Sequence, residues 1–351
     1  MNSMKHTKTS YKILSLLLCA SMLLPLCACG EKSAEKTVTA MNSAVTVTAY
    51  GSSRTKAAED ACAVFTAFDG VLDPEKDSST VYALNHAAGQ SVVVPSQIVD
   101  MYNAAKTIYD QSNGALDLTV YPLLQLWGFT SGNYTKPSDD DIGAAKKLLG
   151  FDEVSIQSFP DSGTYTMTLP AGRGITFNAA ARGCAADGAI DAMASDGVTS
   201  GIVSMPGCVE TIGSKPDGSQ WNVAVQDPDA PEKNLGYVAI GEAALSTSGA
   251  YTQSFTYADG TVYGHIIDPA TGAPAETDLK SVTVVCSSGI TADLLSTALF
   301  VMGKKDALKY WREYGDFQMI LVTDSNQVLC TSGLTESFTL ESQTYTLSYT
   351  E

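Results

Sequence analysis

The chain has 351 residues, of which 38 are acidic and 21 are basic, and its net charge at pH 7 is −17. So acidic a surface argues against binding to nucleic acid or electrostatic adhesion to anionic lipid, since both require basic patches. The hydrophobic content of 44% and the charged content of 17% are typical of a globular protein, and they exclude a disordered chain or a polytopic membrane protein.

The first 28 residues have the layout of an export signal. Three lysines precede the run "ILSLLLCASMLLPL", which is too short for a comfortable membrane span. The sequence "LCAC" then follows the lipobox pattern, so we expect lipidation of Cys29; an ordinary secretory signal cut near Ala28 is the alternative. Two acyl chains would hold the protein at the extracytoplasmic side of the cell membrane, with residues 29–40 as the lipidated cysteine and a polar tether.

The elements predicted beyond residue 40 mix strands and helices without a strict alternation, which favours an α+β fold in a single domain. In chain order they are a strand at 44–50, a helix carrying Phe65 and Phe68, helices at 96–112 and 139–149, strands at 201–205, 221–226, 243–247, 262–267 and 281–286, helices at 291–302 and 304–314, and a terminal strand meander. Ser138 is a predicted helix cap, because a hydroxyl can accept from the unpaired N–H groups of a first turn.

A histidine stands in the stretch "GHIIDPATGAP", residues 264–274, and it is one of only three in the chain. Alternation along the predicted strand would put His265 and Ile267 on one face. Pro269 ends that strand, and a glycine turn follows. We interpret His265 as an imidazole positioned by a rigid corner; a histidine bonded to a backbone carbonyl for structural reasons is the alternative.

A carboxylate and a hydroxyl are spaced one helical turn apart in "TADLLSTALFVMG", residues 291–303. With Thr291 as the helix cap, Asp293 falls in the first turn, and Thr297 lies above it on the same face. Two oxygen ligands of this kind suit a hard cation such as Mg²⁺, which completes its shell with water and phosphate. A helix-start acid without a metal is the alternative.

Two further segments carry weaker signals. In "TFNAAARGCAADGAIDAM", residues 176–193, small residues and Arg182 precede a helix whose N-terminus could take a phosphate, although tight helix packing explains the same pattern. In "SNGALDLTVYPLLQLWGF", residues 112–129, an aromatic segment could wall a flat ring system or simply close the core.

Taken in order, these segments resemble the ApbE family, the FAD:protein FMN transferases, over nearly all of residues 41–335. The most specific part is "HIIDPATGAP" followed about twenty residues later by "ADLLSTALFVMG". The resemblance implies an ApbE-like α+β domain over residues 41–351. Many members are lipoproteins, which agrees with the leader over residues 1–28.

The resemblance also implies a function and a site. Members bind FAD and a divalent cation, usually Mg²⁺, and move FMN onto a threonine of an acceptor protein with release of AMP. By position, the metal would be held by the backbone carbonyl of Ala179 and the side chains of Asp293 and Thr297, while His265 would be the general base. The predicted lining of the FAD site is Met41, Ala115, Leu116, Asp117, Thr176, Arg182, Ser248, His265 and Ile267.

The chain departs from the family pattern at a few positions. The usual "DLGAIAKG" reads "TFNAAARG" here, so Thr176, Asn178 and Arg182 replace an acid, a glycine and a lysine, and Pro206-Gly207-Cys208 replaces "GGN" or "GGD". The expected acceptors are proteins of membrane or exported electron-transfer systems with an Asp-x-x-Thr-Gly-Ala-Thr type motif. Hydrolysis of FAD to FMN and AMP, or FAD binding without chemistry, remain the alternatives.

Overall fold

The computed structural model describes residues 32–350. The predicted signal peptide and Cys29 lie outside this range. The helices are α1 (Arg54–Leu72), α2 (Thr80–His86), α3 (Ser96–Gln111), α4 (Tyr121–Leu126), α5 (Asp139–Lys146), α6 (Ala181–Ser195) and α7 (Gly289–Tyr314). The strands are β1 (Ser33–Ala40), β2 (Ser43–Tyr50), β3 (Val92–Val94), β4 (Ser155–Phe159), β5 (Thr164–Thr168), β6 (Gly201–Met205), β7 (Cys208–Ile212), β8 (Trp221–Asp227), β9 (Ala230–Ile240), β10 (Ala244–Gly249), β11 (Ser254–Thr256), β12 (Val262–Gly264), β13 (Ile267–Asp268), β14 (Ala273–Pro274), β15 (Leu279–Cys286), β16 (Gln318–Thr323), β17 (Gln327–Thr331), β18 (Phe338–Leu340) and β19 (Thr346–Thr350).

A nine-stranded sheet in the order β1-β2-β6-β7-β10-β15-β16-β17-β19 forms the centre of the domain. Its neighbours pair antiparallel except β17 and β19, which are parallel. Two three-stranded sheets, β18-β9-β8 and β3-β5-β4, and the hairpins β11-β12 and β13-β14 complete the strand pairing. Helices and strands are mixed without regular alternation, and this confirms the predicted α+β class.

The two faces of the large sheet pack against different layers. Strand β16 shows the pattern: Met319 and Leu321 belong to the core under the helices, while Ile320 and Val322 belong to the core shared with β8 and β9. Side chains alternate across a strand, so a continuous apolar run supplies both cores at once. Helices α1, α6 and α7 cover the first face.

The predicted tether is partly wrong, because residues 33–40 form the edge strand β1. This strand pairs with β2 along its whole length, from Ser33 opposite Tyr50 to Ala40 opposite Ser43. Met41 and Asn42 make the connection with φ angles of 52° and 57°. Two left-handed residues are the geometry of a tight hairpin turn whose twist matches that of the strands.

The predicted helices are present, with small shifts of their ends. Ser138 caps α5 by accepting a hydrogen bond from the Asp141 N–H at 3.2 Å, although the helix ends at Lys146 rather than 149. The two helices predicted at 291–302 and 304–314 are the two halves of α7. They are separated at Gly303, because its φ of 73° lies outside the range of a right-handed α-helix.

Two strand predictions need correction. The run at 262–267 is not one strand, because β12 ends at Gly264 and β13 begins at Ile267, with His265 between them. The C-terminal segment is not a simple meander. Its strand β18 leaves the large sheet to pair with β9, and β19 returns to lie parallel to β17. Within residues 32–350, no helix is long and apolar enough to cross a membrane.

Candidate active site

One cleft gathers every residue of the described range for which the sequence predicts a site role. Its volume is about 560 Å³, within the ~300–1,000 Å³ usual for small-molecule sites. The predicted residues that line it are Met41, Ala115, Leu116, Asp117, Thr176, Ala179, Arg182, Ser248, His265, Ile267, Asp293 and Thr297. These residues come from segments spread over more than 250 positions, so only the fold brings them together.

A ladder of oxygen atoms joins strand β10 to helix α7 at the base of the cleft. The hydroxyl of Ser246 donates to Asp293 Oδ1 at 2.7 Å. One step further along the strand, Ser248 Oγ lies 3.1 Å from Thr297 Oγ1 and 2.7 Å from Ser296 Oγ. These contacts tie the two predicted metal ligands, Asp293 and Thr297, to strand β10.

The predicted helix cap of α7 is wrong. Ser288, not Thr291, is the cap residue, and its side chain accepts a hydrogen bond from the Thr291 N–H at 3.3 Å. Asp293 therefore lies in the second turn of α7, and its Oδ2 accepts a hydrogen bond from the N–H of Gly183 in α6 at 3.1 Å. Burial raises the pKa of Asp293 above its usual value, and the hydrogen bonds from Ser246 and Gly183 oppose that rise.

The backbone around Ala179 offers a further oxygen. In a regular helix the N–H of Gly183 would bond to the carbonyl of Ala179, but here it donates to Asp293. Among the described residues no hydrogen bond to the Ala179 carbonyl is found, because α6 starts with the bond from Cys184 to Ala180. The cleft lining therefore includes Ala179, whose carbonyl accepts no hydrogen bond from the described residues, together with the Asp293 carboxylate and the Thr297 hydroxyl.

This donor set fits a hard cation with few protein ligands. Within residues 32–350 no three His, Cys, Asp or Glu side chains are grouped so that they could hold a metal ion. A soft or fully protein-ligated metal is thus a poor match. One carboxylate, one hydroxyl and one carbonyl suit Mg²⁺, which keeps several waters or takes phosphate oxygens in their place.

His265 is held by the backbone of Gln253, the residue that precedes β11. Its backbone N–H and its ring Nδ1 both bond to the carbonyl of Gln253, at 3.0 and 3.2 Å. Because a carbonyl only accepts, the proton sits on Nδ1, and Nε2 keeps its lone pair. Burial lowers the pKa of His265 to about 4; the bond to Gln253 opposes this, and the charge of Arg182 adds to it. The ring is therefore neutral at physiological pH.

Arg182 is the one basic residue among the cleft-lining residues. Its side chain makes no ion pair with any carboxylate of residues 32–350, and a Cβ on Gly207 would lie 3.6 Å from its Nη1. The acidic residues that line the cleft are Asp69, Asp73, Glu75, Asp117 and Asp293. An anionic ligand would therefore meet repulsion except near Arg182 or near a bound cation.

The cleft is also lined by apolar side chains and by a carboxylate that hydrogen bonds hold in place. Leu116 and Phe129 line it, and Asp117 is fixed there because its Oδ1 accepts from the Thr119 N–H at 2.7 Å and from the Thr119 hydroxyl at 2.6 Å. Met41, at the tip of the β1–β2 hairpin, donates its N–H to Asp69 at 2.8 Å. Such a wall suits a flat ring system.

Two of the positions that depart from the family pattern, Thr176 and Cys208, are buried, whereas Asn178, Arg182 and Pro206 are exposed. Thr176 is buried; its N–H donates to the Leu118 carbonyl at 2.9 Å, and its hydroxyl accepts from the Asn178 N–H at 3.3 Å. Cys208 is buried in β7 beside the turn at Gly207. Thr176 is therefore held in the cleft lining by its own hydrogen bonds.

The ApbE family model matches residues 41–321. The chain belongs to the ApbE family. It is 31% identical over 233 residues to the FAD:protein FMN transferase of Vibrio cholerae, covering 66% of this chain and 68% of that relative. It is 32% identical over 251 residues to the FAD:protein FMN transferase of Klebsiella pneumoniae, covering 70% and 71%.

Two solved ApbE structures share the fold. The flavinyl transferase ApbE of Pseudomonas stutzeri in its apo form is 32% identical, with a TM-score of 0.73 over 84% of this chain and 92% of that one. The ApbE protein of Thermotoga maritima is 28% identical, with a TM-score of 0.75 over 84% and 95%. The family and the ApbE-like fold that the sequence predicts are thereby confirmed.

Sequence reasoning missed three residues that hold the site. Ser246 donates a hydrogen bond to Asp293, Gln253 sets the tautomer of His265, and Glu210 is a buried carboxyl group of strand β7. The alternation in "LSTSG" carried a signal for the first, since Ser246 and Ser248 must share a face of one strand. For Gln253 and Glu210 no local pattern points to the partner.

Proposed function

We propose that this chain is a FAD:protein FMN transferase. A threonine hydroxyl of an acceptor protein attacks the FMN phosphorus of FAD, a new P–O bond forms, the bond to the AMP phosphate breaks, and AMP leaves. The observation that carries the proposal is the convergence in one cleft of a neutral imidazole, an unpaired guanidinium and a ladder of oxygen ligands, in a chain whose relatives carry this name.

His265 is the proposed general base. A threonine hydroxyl is a poor nucleophile at neutral pH, and a positioned base contributes roughly 10²–10⁴-fold. With the proton held on Nδ1 by Gln253, Nε2 is the atom that takes the hydroxyl proton. A phosphate beside the ring would raise its pKa from about 4 toward neutrality, because a negative neighbour stabilises the imidazolium.

Asp293, Thr297 and the carbonyl of Ala179 are the proposed ligands of Mg²⁺. When bound, the ion would supply neutralisation of the pyrophosphate charge and of the charge that develops on the departing AMP. The chain's proposed contribution is to hold these three oxygens within reach of one ion, and the position of all three residues in the cleft lining supports this. Arg182 is the proposed contact to a phosphate oxygen, since its planar fork can form two charge-assisted hydrogen bonds.

The proposed setting is the extracytoplasmic face of the cell membrane, with the protein anchored by a diacylglycerol on Cys29. The lipobox pattern of the leader supports this placement. The proposed acceptors are membrane or exported electron-transfer proteins that present an Asp-x-x-Thr-Gly-Ala-Thr type segment. Such acceptors would meet the enzyme on the same side of the membrane.

The test is acceptor labelling by residues 30–351, the chain without its lipidated cysteine. The protein is incubated with FAD, Mg²⁺ and an acceptor fragment, and flavin fluorescence on the acceptor is read on a denaturing gel. We expect a labelled acceptor and one AMP released for each label. A parallel reaction with chelator should show neither product.

Other outcomes would replace the proposal with a defined alternative. Free FMN and AMP without labelling would identify a FAD pyrophosphatase, and unchanged FAD with measurable binding would identify a FAD-holding lipoprotein. Labelling that continues undiminished in chelator would remove the metal from the proposal. A Thr→Val acceptor is the matched control, since it keeps the shape of the segment and lacks the hydroxyl.

A further inference from the structure

Helices α6 and α7 cross with their backbones in direct contact. A Cβ on Gly183 would lie 1.9 Å from the carbonyl oxygen of Gly289, and a Cβ on Gly289 would lie 2.5 Å from the carbonyl oxygen of Gly183. No side chain can be added at either position without moving a helix. The crossing therefore brings the first turns of both helices together. Of the proposed ligands, Ala179 comes two residues before α6, and Asp293 lies in the second turn of α7.

Each helix supplies the carboxylate that caps the other. Asp293 of α7 accepts the Gly183 N–H of α6 at 3.1 Å, and α6 has no side-chain cap of its own. In return, Asp187 of α6 accepts the N–H groups of Gly289 and Ile290 in α7, at 2.5 and 3.0 Å. Two carboxylates thus fix the register of the two helices with hydrogen bonds to orphan N–H groups.

A second carboxyl group stands behind Asp187. Glu210 of β7 is 5% exposed, and its Oε2 has no hydrogen-bond partner among the described residues. Around the point where a Cβ of Gly289 would stand, Glu210 Oε2 lies at 2.8 Å and Asp187 Oδ1 at 3.0 Å. Two ionised carboxylates cannot share so small and dry a space.

Protonation of Glu210 resolves the conflict. Burial, with the Asp187 charge and a hydrogen bond between the two side chains, raises the pKa of Glu210 to about 10. A proton on Oε2 would give the neutral acid an O–H that faces the Asp187 carboxylate. Such a bond would give Oε2 a partner and would hold Asp187 in place while its own oxygens accept from α7.

We propose that Asp187 and Glu210 are positioning residues for the metal site: the acid–carboxylate pair fixes the start of α7 against α6 and so holds Asp293 at the distance from the Ala179 carbonyl that one cation requires. The inference rests on the proposed function only for the use of the metal. Neither residue lines the cleft, so both act through the helices.

The experiment measures binding of Mn²⁺ alone, by the electron paramagnetic resonance signal of the free ion, in the wild type and in variants. Glu210→Leu and Asp187→Asn should raise the Mn²⁺ dissociation constant at least tenfold. Glu210→Gln keeps a donor toward Asp187 and should bind Mn²⁺ within threefold of the wild type. The matched control is Asp227→Asn, because Asp227 is a buried carboxylate outside the cleft that accepts from the Tyr345 hydroxyl at 2.8 Å.

The control should lower the thermal unfolding midpoint and leave Mn²⁺ binding unchanged. Equal Mn²⁺ binding by Glu210→Leu and the wild type, or equal weakening by Glu210→Gln and Glu210→Leu, would overturn the inference. If Asp187→Asn does not fold, the comparison of Glu210→Leu with Glu210→Gln still tests the inference. Acceptor labelling by the wild type is run in parallel: its absence defeats the proposed function, whereas the order of the Mn²⁺ constants tests the positioning pair separately.

Discussion

Replacing His265 with glutamine should make the protein resist acid better. The pKa of His265 falls from 6.5 in the unfolded chain to about 4 in the folded protein. Between these two pH values the unfolded chain binds a proton that the folded protein does not bind. The contribution of His265 to the free energy of unfolding is therefore fully present above pH 6.5 and is lost as the pH falls toward 4. From pH 6.5 to pH 5 the loss is 1.5 pH units at 1.36 kcal/mol each, or about 2 kcal/mol.

The assay is urea unfolding at pH 7.5 and pH 5, which stays above the range where ordinary carboxylates titrate. The wild type should lose about 2 kcal/mol more than His265→Gln between the two conditions. His86→Gln is the matched control, because His86 is exposed and lies outside the cleft. The His86→Gln variant keeps His265, so it should lose as much unfolding free energy between pH 7.5 and pH 5 as the wild type does. Parallel behaviour of wild type and His265→Gln would refute the assignment of a neutral, desolvated imidazole.

Further predictions concern activity and packing. His265→Gln should slow acceptor labelling about 10²–10⁴-fold without loss of FAD binding, measured by initial rates and by flavin fluorescence; equal rates would remove its role as base. Asp293→Asn keeps an acceptor for the Gly183 N–H but loses the charge, so labelling should fall more than about 100-fold while the unfolding midpoint stays or rises, since a buried charge is removed. Arg182→Gln should raise the KM for FAD roughly tenfold, against a charge-keeping Arg182→Lys control, because a charge-assisted bond is worth about 1.5–3 kcal/mol. Gly183→Ala should lower the free energy of unfolding by about 3 kcal/mol or more, read from urea titration, because its Cβ meets the Gly289 carbonyl.

The fold was predictable where a pattern is local. The strand predicted at 201–205 coincides with β6. Its alternation, "GIVSM", is a property of the segment itself and can be recognised without knowing which strand it pairs with. The edge strand β1 was not predictable in the same way. Most of its side chains are exposed, and its turn at Met41-Asn42 lacks the glycine that marks most tight hairpins.

The site was predictable as a set of residues and not as a set of contacts. Thr291 and Ser288 are both good cap residues, and the choice between them depends on Asp187, which is about one hundred positions away. The partnership of Glu210 with Asp187 depends on a strand and a helix meeting. No spacing rule connects two acids on different elements, so such a pair becomes visible only in three dimensions.

The oxygen ladder shows what a sequence rule for this site would require. Two residues along a strand advance about 6.6 Å, and four residues along a helix advance about 6.0 Å. Ser246 and Ser248 on β10 therefore stay in step with Asp293 and Thr297 on α7, which runs in the same direction as β10, and both contacts form at 2.7 and 3.1 Å. A strand "SxS" facing a helix "DxxxT" is thus a geometric match of two periods, and it explains how the carboxylate and the hydroxyl are both tied to one strand that is far from them in the sequence.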